Sequence, residues 1–192
     1  MKLKDIKTVA VIGGGTMGSQ VAELLSKVGG YQVILWSRRD ETVKRGVDSI
    51  DDRLQKFFVA KEKMTPAEKD EIMGRIKGTT DMAEAARNAD CIIESVMENF
   101  EVKEEVFKTL DQNAPEHCIL GTNTSQINIT ELAAVTKRPE KVVGIHFFNP
   151  VGVMKIVEIV KGTLTSEEVL QVADELAKKL GKETVICKGF SF

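Results

Sequence analysis

Cysteine and histidine are scarce in this chain of 192 residues, which contains three cysteines and two histidines. The cysteines are odd in number, widely spaced and without a Cys-x-x-Cys pair, so we expect neither a disulfide framework nor a bound metal. Long hydrophobic runs are also missing, because no stretch approaches the roughly 18 apolar residues that span a membrane. No apolar segment near the start leads to a small-residue cleavage site, so a secretory signal is not expected. The expected location is the cytoplasm.

The chain also lacks a surplus of charge of either sign. Its 27 basic residues stand against 29 acidic ones, which gives a formal net charge of -2. Basic side chains are scattered among acidic ones, so there is no positive field for nucleic acid or an anionic membrane surface. The expected partner is therefore a small molecule.

Short apolar runs rich in β-branched residues alternate with segments of helical period along the whole chain. This alternation is typical of a mostly parallel sheet flanked by helices. Several runs are continuously apolar, as strands covered on both faces are. The predicted strands are Thr8–Ile12, Gln32–Trp36, Cys91–Glu94, Cys118–Gly121, Val142–Ile145, Ile156–Val160 and Thr184–Cys187.

The stretch from about 40 to 77 contains no predicted strand. It is polar and amphipathic, and Thr65-Pro66-Ala67-Glu68 within it is a helix capping box with proline at the first helical position. We expect two helices here, longer than an ordinary crossover, which project as a helical-hairpin arm after the second strand.

A glycine-rich turn follows the first predicted strand and leads into a helix. A lone Gly-x-Gly-x-x-Gly is a weak signal, but a strand before it and a helix after it are the context of a dinucleotide site. The first glycine permits the tight turn, the second lets the backbone approach a pyrophosphate, and the third lets helix and strand pack closely. The fold class predicted is Rossmann-type α/β. The cofactor-binding residues predicted in this turn are Gly13, Gly15, Thr16, Met17 and Gly18.

The end of the second strand decides which dinucleotide is expected. An acidic residue about 20 positions after the glycines accepts the ribose 2′-hydroxyl of NAD in such folds. Ser37 and Arg38 stand here instead, and a hydroxyl with a guanidinium suits the 2′-phosphate of NADP. Asp40 lies close enough in sequence to reach back, so both NAD and NADP remain open at this point.

One of the two histidines lies where open α/β sheets bind their ligands. His146 follows the predicted strand Val142–Ile145, at the carboxyl end of that strand. Glu158 lies in the next apolar run, where a buried carboxylate needs a partner. A carboxylate-oriented imidazole is a common general base for an alcohol proton, although a structural histidine explains the same spacing.

Three motifs carry a resemblance to a known family. Thr122-Asn123-Thr124-Ser125, His146-Phe147-Phe148-Asn149-Pro150 and Val157-Glu158-Ile159 are similar to motifs of the 3-hydroxyacyl-CoA dehydrogenases, which include 3-hydroxybutyryl-CoA dehydrogenase. The glycine turn, the segment 92–99 and the helical insert also match, in order. The resemblance implies NAD(P)-dependent oxidation of a 3-hydroxyacyl-CoA to the 3-oxoacyl-CoA, or the reverse, in fatty-acid metabolism.

The resemblance also implies roles for individual residues. His146 would remove the proton of the substrate 3-hydroxyl, and Glu158 would orient His146 and stabilise its cationic form. Ser125 would hydrogen-bond the reacting oxygen, and Asn149 would help to place the nicotinamide and the acyl group.

Further residues match cofactor or substrate positions of the family. Glu98 and Lys103 match cofactor-contacting positions, and Lys56 on the helical arm is a candidate contact for CoA phosphates. At Ser37 the family usually has an aspartate, and this departure keeps the question of NADP open.

The resemblance implies a second domain as well. Family members continue past a Gly-Phe segment into an all-helical domain that carries most of the dimer interface, and Gly189-Phe190 resembles that junction. We expect residues 1–187 to form the dinucleotide-binding domain, 188–192 to begin the junction, and the full-length form to be a homodimer. The alternatives are a cofactor-binding half without activity of its own, a dehydrogenase for small hydroxy acids, and a non-enzymatic dinucleotide-binding module.

Overall fold

The structure, a computed structural model, describes residues 1–190, so Ser191 and Phe192 of the expected junction lie outside the described residues. Short 3₁₀ turns occupy Leu3–Asp5, Val59–Lys61 and Pro139–Lys141. The strands are β1 (Thr8–Ile12), β2 (Gln32–Trp36), β3 (Ile76–Thr79), β4 (Cys91–Glu94), β5 (Ile119–Thr122), β6 (Val142–Phe147), β7 (Ile156–Lys161) and β8 (Glu183–Lys188). The helices are α1 (Thr16–Lys27), α2 (Asp40–Phe57), α3 (Pro66–Gly74), α4 (Met82–Arg87), α5 (Phe100–Asn113), α6 (Ile129–Ala134) and α7 (Glu167–Lys179).

The strands form one eight-stranded sheet in the order β3-β2-β1-β4-β5-β6-β7-β8. All pairs are parallel except β6 with β7. The strand order reverses between β1 and β4, which is where ligands bind in sheets of this kind. This confirms the predicted fold class. Among the described residues, no helix combines the length and the apolar character needed to cross a membrane.

Helices cover both faces of the sheet, and the side chains of β1 alternate between the two layers. Val9 and Val11 belong to the hydrophobic cluster under α1 and α7, while Ala10 and Ile12 belong to the cluster under α5 and α6. All four are fully buried. This double burial explains why β1 is apolar at every position after its first residue.

Two sequence predictions about strands are wrong. β3 begins at Ile76, inside the stretch for which no strand was expected. It contains Ile, Lys, Gly and Thr and lies at the sheet edge, so it lacks the apolar run that identifies a buried strand. β6 extends to Phe147, so His146 lies within the strand and not after it.

The predicted helical hairpin forms, but it does not project away from the sheet along its whole length. Ile50 and Leu54 of α2 are fully buried, and Ile72 of α3 is nearly so. Gly46 of α2 approaches the glycine turn so closely that a Cβ atom there would lie 2.9 Å from the carbonyl oxygen of Gly14. The first helix of the hairpin therefore packs against the predicted cofactor turn.

Candidate active site

The glycine turn has the backbone geometry that its sequence predicts. Gly13 has a φ of +123°, and a Cβ atom at this position would lie 2.5 Å from the Ser95 carbonyl oxygen. A Cβ atom at Gly18 would lie 1.7 Å from the carbonyl oxygen of Gly13. Only glycine fits at either position, since both carry close contacts between backbones.

The space in front of the helix start is open. A Cβ atom added to Gly15 would meet nothing within 4 Å, and Gly15 caps α1 with its backbone alone. The exposed Thr16 and the half-buried Met17 follow it. Backbone N–H groups at such a helix start bind a pyrophosphate, so this turn fits the dinucleotide that the sequence predicts.

A groove with a volume of about 500 Å³ runs from the glycine turn across the switch point. Trp36, Ser37 and Arg38 line it from the end of β2, and Val96 and Val102 line it from the far side. Trp36 is 8% exposed, and its indole N–H donates a hydrogen bond to the carbonyl oxygen of Thr80. The groove thus offers apolar walls, which suit an adenine ring.

Ser37 is turned into the glycine turn and away from solvent. It is 4% exposed, and its Oγ accepts a hydrogen bond from the Gly14 N–H at 2.8 Å. Arg38 and Arg39 beside it are exposed. At the end of β2 the groove is therefore lined by a serine and two exposed arginines, at the place where an aspartate would bind a ribose.

His146 and Glu158 form the pair that the sequence predicts. They lie directly opposite each other in the antiparallel register of β6 and β7, and His146 Nδ1 is 2.9 Å from Glu158 Oε2. The side chains are 12% and 7% exposed. Because a carboxylate accepts a hydrogen bond, Nδ1 of the neutral imidazole carries the proton in this pair, and Nε2 has the lone pair. This is the tautomer that a base acting through Nε2 needs. The ring also contacts Phe148, with centroids 4.6 Å apart.

The loop that carries Ser125 is held by a carboxylate from the neighbouring loop. Glu98 accepts hydrogen bonds from the Thr124 hydroxyl and from the backbone N–H groups of Ser125 and Gln126, the latter two at 3.0 Å. Burial opposes ionisation of Glu98, but these hydrogen bonds and the charge of Lys103 outweigh it and lower the pKa of its carboxyl. Ser125 itself is exposed.

Lys103 lies beneath this loop, with its side chain 1% exposed. Its Nζ is 2.7 Å from Glu94 Oε1 and 3.3 Å from Glu98 Oε2. Glu94 is fully buried and also accepts hydrogen bonds from the Thr122 hydroxyl and the Val96 N–H. Lys103 therefore supports Glu98 from inside the protein, and its direct contact with a dinucleotide stays a prediction.

The turn after β6 approaches the cofactor helix. Asn149 Oδ1 accepts a hydrogen bond from Gln20 Nε2 of α1 at 3.1 Å, and the Asn149–Pro150 peptide bond is cis.

On the other side of the turn, Lys182 Nζ donates to the carbonyl oxygens of Val151 and Met154 at 2.5 and 2.7 Å. Burial lowers the pKa of Lys182, helped by the charge of Lys27. The residue that follows β5 is also bound to β6, since Asn123 Oδ1 accepts a hydrogen bond from the Phe147 N–H.

These contacts bring the predicted residues together from separate parts of the chain. Loops after β4, β5 and β6 meet at one edge of the sheet, and the last of them touches the helix that begins at the glycine turn. Residues 8–190 match the family model described as the 3-hydroxyacyl-CoA dehydrogenase, NAD binding domain.

The chain belongs to the 3-hydroxyacyl-CoA dehydrogenase family.

Relatives of known name agree with this assignment. The chain is 41% identical to a probable 3-hydroxybutyryl-CoA dehydrogenase of Bacillus subtilis, over 97% of this chain and 64% of the relative. It is 39% identical to the mitochondrial hydroxyacyl-coenzyme A dehydrogenase of Sus scrofa, over 95% of this chain and 59% of the relative. The chain thus spans about three fifths of the length of these two relatives.

A solved structure agrees as well. The 3-hydroxybutyryl-CoA dehydrogenase of Escherichia coli K12 superposes with a TM-score of 0.92 and 41% identity, over 96% of this chain and 39% of that chain. As in the family model, the matched part is the dinucleotide-binding fold.

One residue predicted from the sequence, Lys56, lies apart from this arrangement. Lys56 is exposed near the end of α2, and its Nζ lies 5.4 Å from the centroid of the Phe57 ring. Its described contacts do not include the loops at the sheet edge. A role in binding CoA phosphates stays a prediction.

Sequence reasoning missed three residues that support this site. Glu94 ends a strand of Cys and Ile, and a carboxylate in such a run signals a buried ion pair that could have been sought. Gln20 and Lys182 gave no comparable signal. Each is polar, lies on a helix or next to one, and is paired with a turn more than 25 residues away in sequence.

Proposed function

We propose that this domain binds a nicotinamide dinucleotide in the groove at the glycine turn and supplies the base that accepts the hydroxyl proton when the 3-hydroxyl of a 3-hydroxyacyl-CoA is oxidised. The observation that carries the proposal is the in-register pair of His146 and Glu158, with Nδ1 and Oε2 2.9 Å apart. Family membership and the names of the relatives support the same reaction. Because this chain spans about three fifths of those relatives, the activity of the whole protein is part of the proposal.

His146 acts on the substrate hydroxyl through Nε2. With Nδ1–H donating to Glu158, the Nε2 lone pair accepts the proton of the 3-hydroxyl as the C3–H bond breaks. The imidazolium that forms is stabilised by the Glu158 carboxylate, which is itself mostly buried and so acts at low local polarity. In the reverse direction the imidazolium returns the proton to the 3-oxo oxygen.

Other residues bind and orient the reactants. Backbone N–H groups of Thr16, Met17 and Gly18 hold the pyrophosphate, and Ser125 donates to the reacting oxygen on its anchored loop. Asn149 places the acyl group and the nicotinamide. When bound, the dinucleotide supplies the acceptor for the hydride that leaves C3.

We propose further that residues 1–187 form the dinucleotide-binding domain and that an additional domain completes the enzyme as a homodimer. The experiment is to measure NADH formation from 3-hydroxybutyryl-CoA and from free 3-hydroxybutyrate, with this chain and with a longer protein that carries it. We expect this chain by itself to bind NADH tightly but to oxidise the thioester slowly. Full-rate oxidation by the chain alone would contradict the need for a further domain, and reaction of the free acid but not the thioester would contradict the substrate class.

We propose that NAD is the preferred cofactor and that Ser37 leaves NADP binding measurable. Titrating NADH and NADPH against the emission of Trp36, which lines the groove, ranks the two affinities. Ser37→Asp is expected to weaken NADPH at least tenfold relative to NADH, because a carboxylate accepts the ribose 2′-hydroxyl and repels a 2′-phosphate, at about 1.4 kcal/mol per tenfold.

A second variant for this titration is Arg38→Ala. It removes an exposed cation from the groove rim without touching the hydrogen bond between Gly14 and Ser37. It should weaken NADPH more than NADH, since only NADPH carries the 2′-phosphate. An unchanged affinity ratio in both variants would show that the end of β2 does not select the cofactor.

A further inference from the structure

Gln20 joins the cofactor helix to the turn that carries Asn149. It lies four residues after Thr16, in the second turn of α1, and is half-buried. Its Nε2 donates to the Thr16 carbonyl oxygen at 3.2 Å and to Asn149 Oδ1 at 3.1 Å. Its Oε1 accepts from the Val151 backbone N–H at 2.9 Å. The Gln20 side chain thus binds a residue that lies 131 positions further along the chain.

The direction of each amide follows from its partners. The Val151 N–H can only donate, so the atom of Gln20 that faces it must be the oxygen. The Gln20 nitrogen then faces the Thr16 carbonyl oxygen, which can only accept. The same nitrogen requires an acceptor from Asn149, which fixes Oδ1 toward Gln20 and turns the Asn149 Nδ2 group away from it. Two backbone groups therefore decide which end of Asn149 is presented outward.

The turn backbone has a second anchor that is independent of Gln20. Lys182 donates hydrogen bonds to the carbonyl oxygens of Val151 and Met154. Loss of the Gln20 amide therefore leaves the carbonyl oxygens of the turn anchored. The side chain most affected is that of Asn149, which is exposed and which, among the described residues, is hydrogen-bonded to Gln20.

We propose that Gln20 is a positioning residue that orients the Asn149 amide, with Nδ2 toward the reactants, from the helix that binds the pyrophosphate. This rests on the proposed function, in which Asn149 contacts the acyl group and the nicotinamide. Because α1 begins at the glycine turn, the same helix sets the position of both the dinucleotide and the amide that faces it.

A double-mutant cycle between Gln20→Met and Asn149→Ala tests this role. Methionine keeps the length of glutamine and removes its hydrogen bonds. Gln20→Met is expected to lower kcat for 3-hydroxybutyryl-CoA on the order of tenfold with KM for NAD unchanged, since misplacement of a positioning group costs rate more than cofactor binding. In the Asn149→Ala background the same change should lower kcat less than about twofold. An equal loss in both backgrounds would overturn the proposal, because Gln20 would then act other than through Asn149.

A second measurement does not depend on turnover. In the NMR spectrum of this chain, Gln20→Met should shift the side-chain amide signals of Asn149 and the backbone amide signal of Val151. The matched control is Gln171→Met, which removes an amide that, within the described chain, donates to Glu175 on α7, and it should leave both signals in place. Unshifted Asn149 signals in Gln20→Met would overturn the proposal even if turnover fell. If no protein carrying this chain oxidises the thioester, the proposed function fails, and the NMR result alone decides the role of Gln20.

Discussion

Replacing His146 with glutamine in a longer protein that carries this chain is expected, on the proposed function, to lower kcat for oxidation of 3-hydroxybutyryl-CoA by about 10³-fold, within the range that general-base catalysis contributes. Glutamine keeps a hydrogen-bonding side chain of similar size opposite Glu158 but has no basic nitrogen to accept the hydroxyl proton. NADH affinity should stay unchanged, because the glycine turn and the groove are formed by other residues. The measurement pairs steady-state kinetics with NADH titration on the same preparation.

The other histidine provides a matched control for this substitution. His117 is half exposed, and its Nε2 lies 3.0 Å from Asp90 Oδ1, at the start of a strand and not at the carboxyl edge. His117→Gln should therefore leave kcat within about twofold, as expected for a surface site. Comparable activity of His146→Gln and the wild type would remove His146 from the mechanism.

Replacing Lys103 with methionine is expected to lower the free energy of unfolding by about 3–5 kcal/mol, the cost of breaking a buried ion pair at one partner. Glu94 is fully buried and would lose the cation that lies 2.7 Å from its carboxylate. Urea unfolding followed by circular dichroism measures the change. Adding Glu94→Gln to the same chain should recover most of the loss, because the uncompensated charge is then gone.

Lys108→Met is the control for this prediction. Lys108 pairs with Glu104 at the same 2.7 Å, but its side chain is half exposed and water screens the pair. The expected loss is at most about 0.5 kcal/mol. Equal losses for the two lysines would show that burial of the Lys103 pair does not determine its contribution.

Much of the fold could be predicted because its signals are local. β1, the glycines and α1 follow one another within 20 residues, and Gly13 and Gly18 are each required by a close backbone contact that leaves no room for a Cβ atom. β3 could not be predicted in this way. It has one large apolar residue in four and lies at the sheet edge, where β2 is its partner strand in the described part of the chain, so pairing and not composition makes it a strand.

For the candidate site too, some features could be predicted from local sequence and others could not. Ser125, His146 and Glu158 carried a motif resemblance, and the sequence by itself determined their identity and order. Only the tertiary structure decided that His146 and Glu158 are opposite each other, since the register of two antiparallel strands sets that contact and a slip of one residue would turn one side chain to the other face.

The remaining support of the site comes from residues far apart in sequence. The ion pairs of Lys103 with Glu94 and Glu98 anchor the Ser125 loop, and Gln20 reaches Asn149 across the sheet edge. The sequence determined that this chain has a glycine turn between a strand and a helix, together with the motif residues of its family. The tertiary structure decided how those residues are held, because hydrogen bonds between distant loops depend on which strands are neighbours. The order of strands in the sheet cannot be deduced from a local sequence pattern.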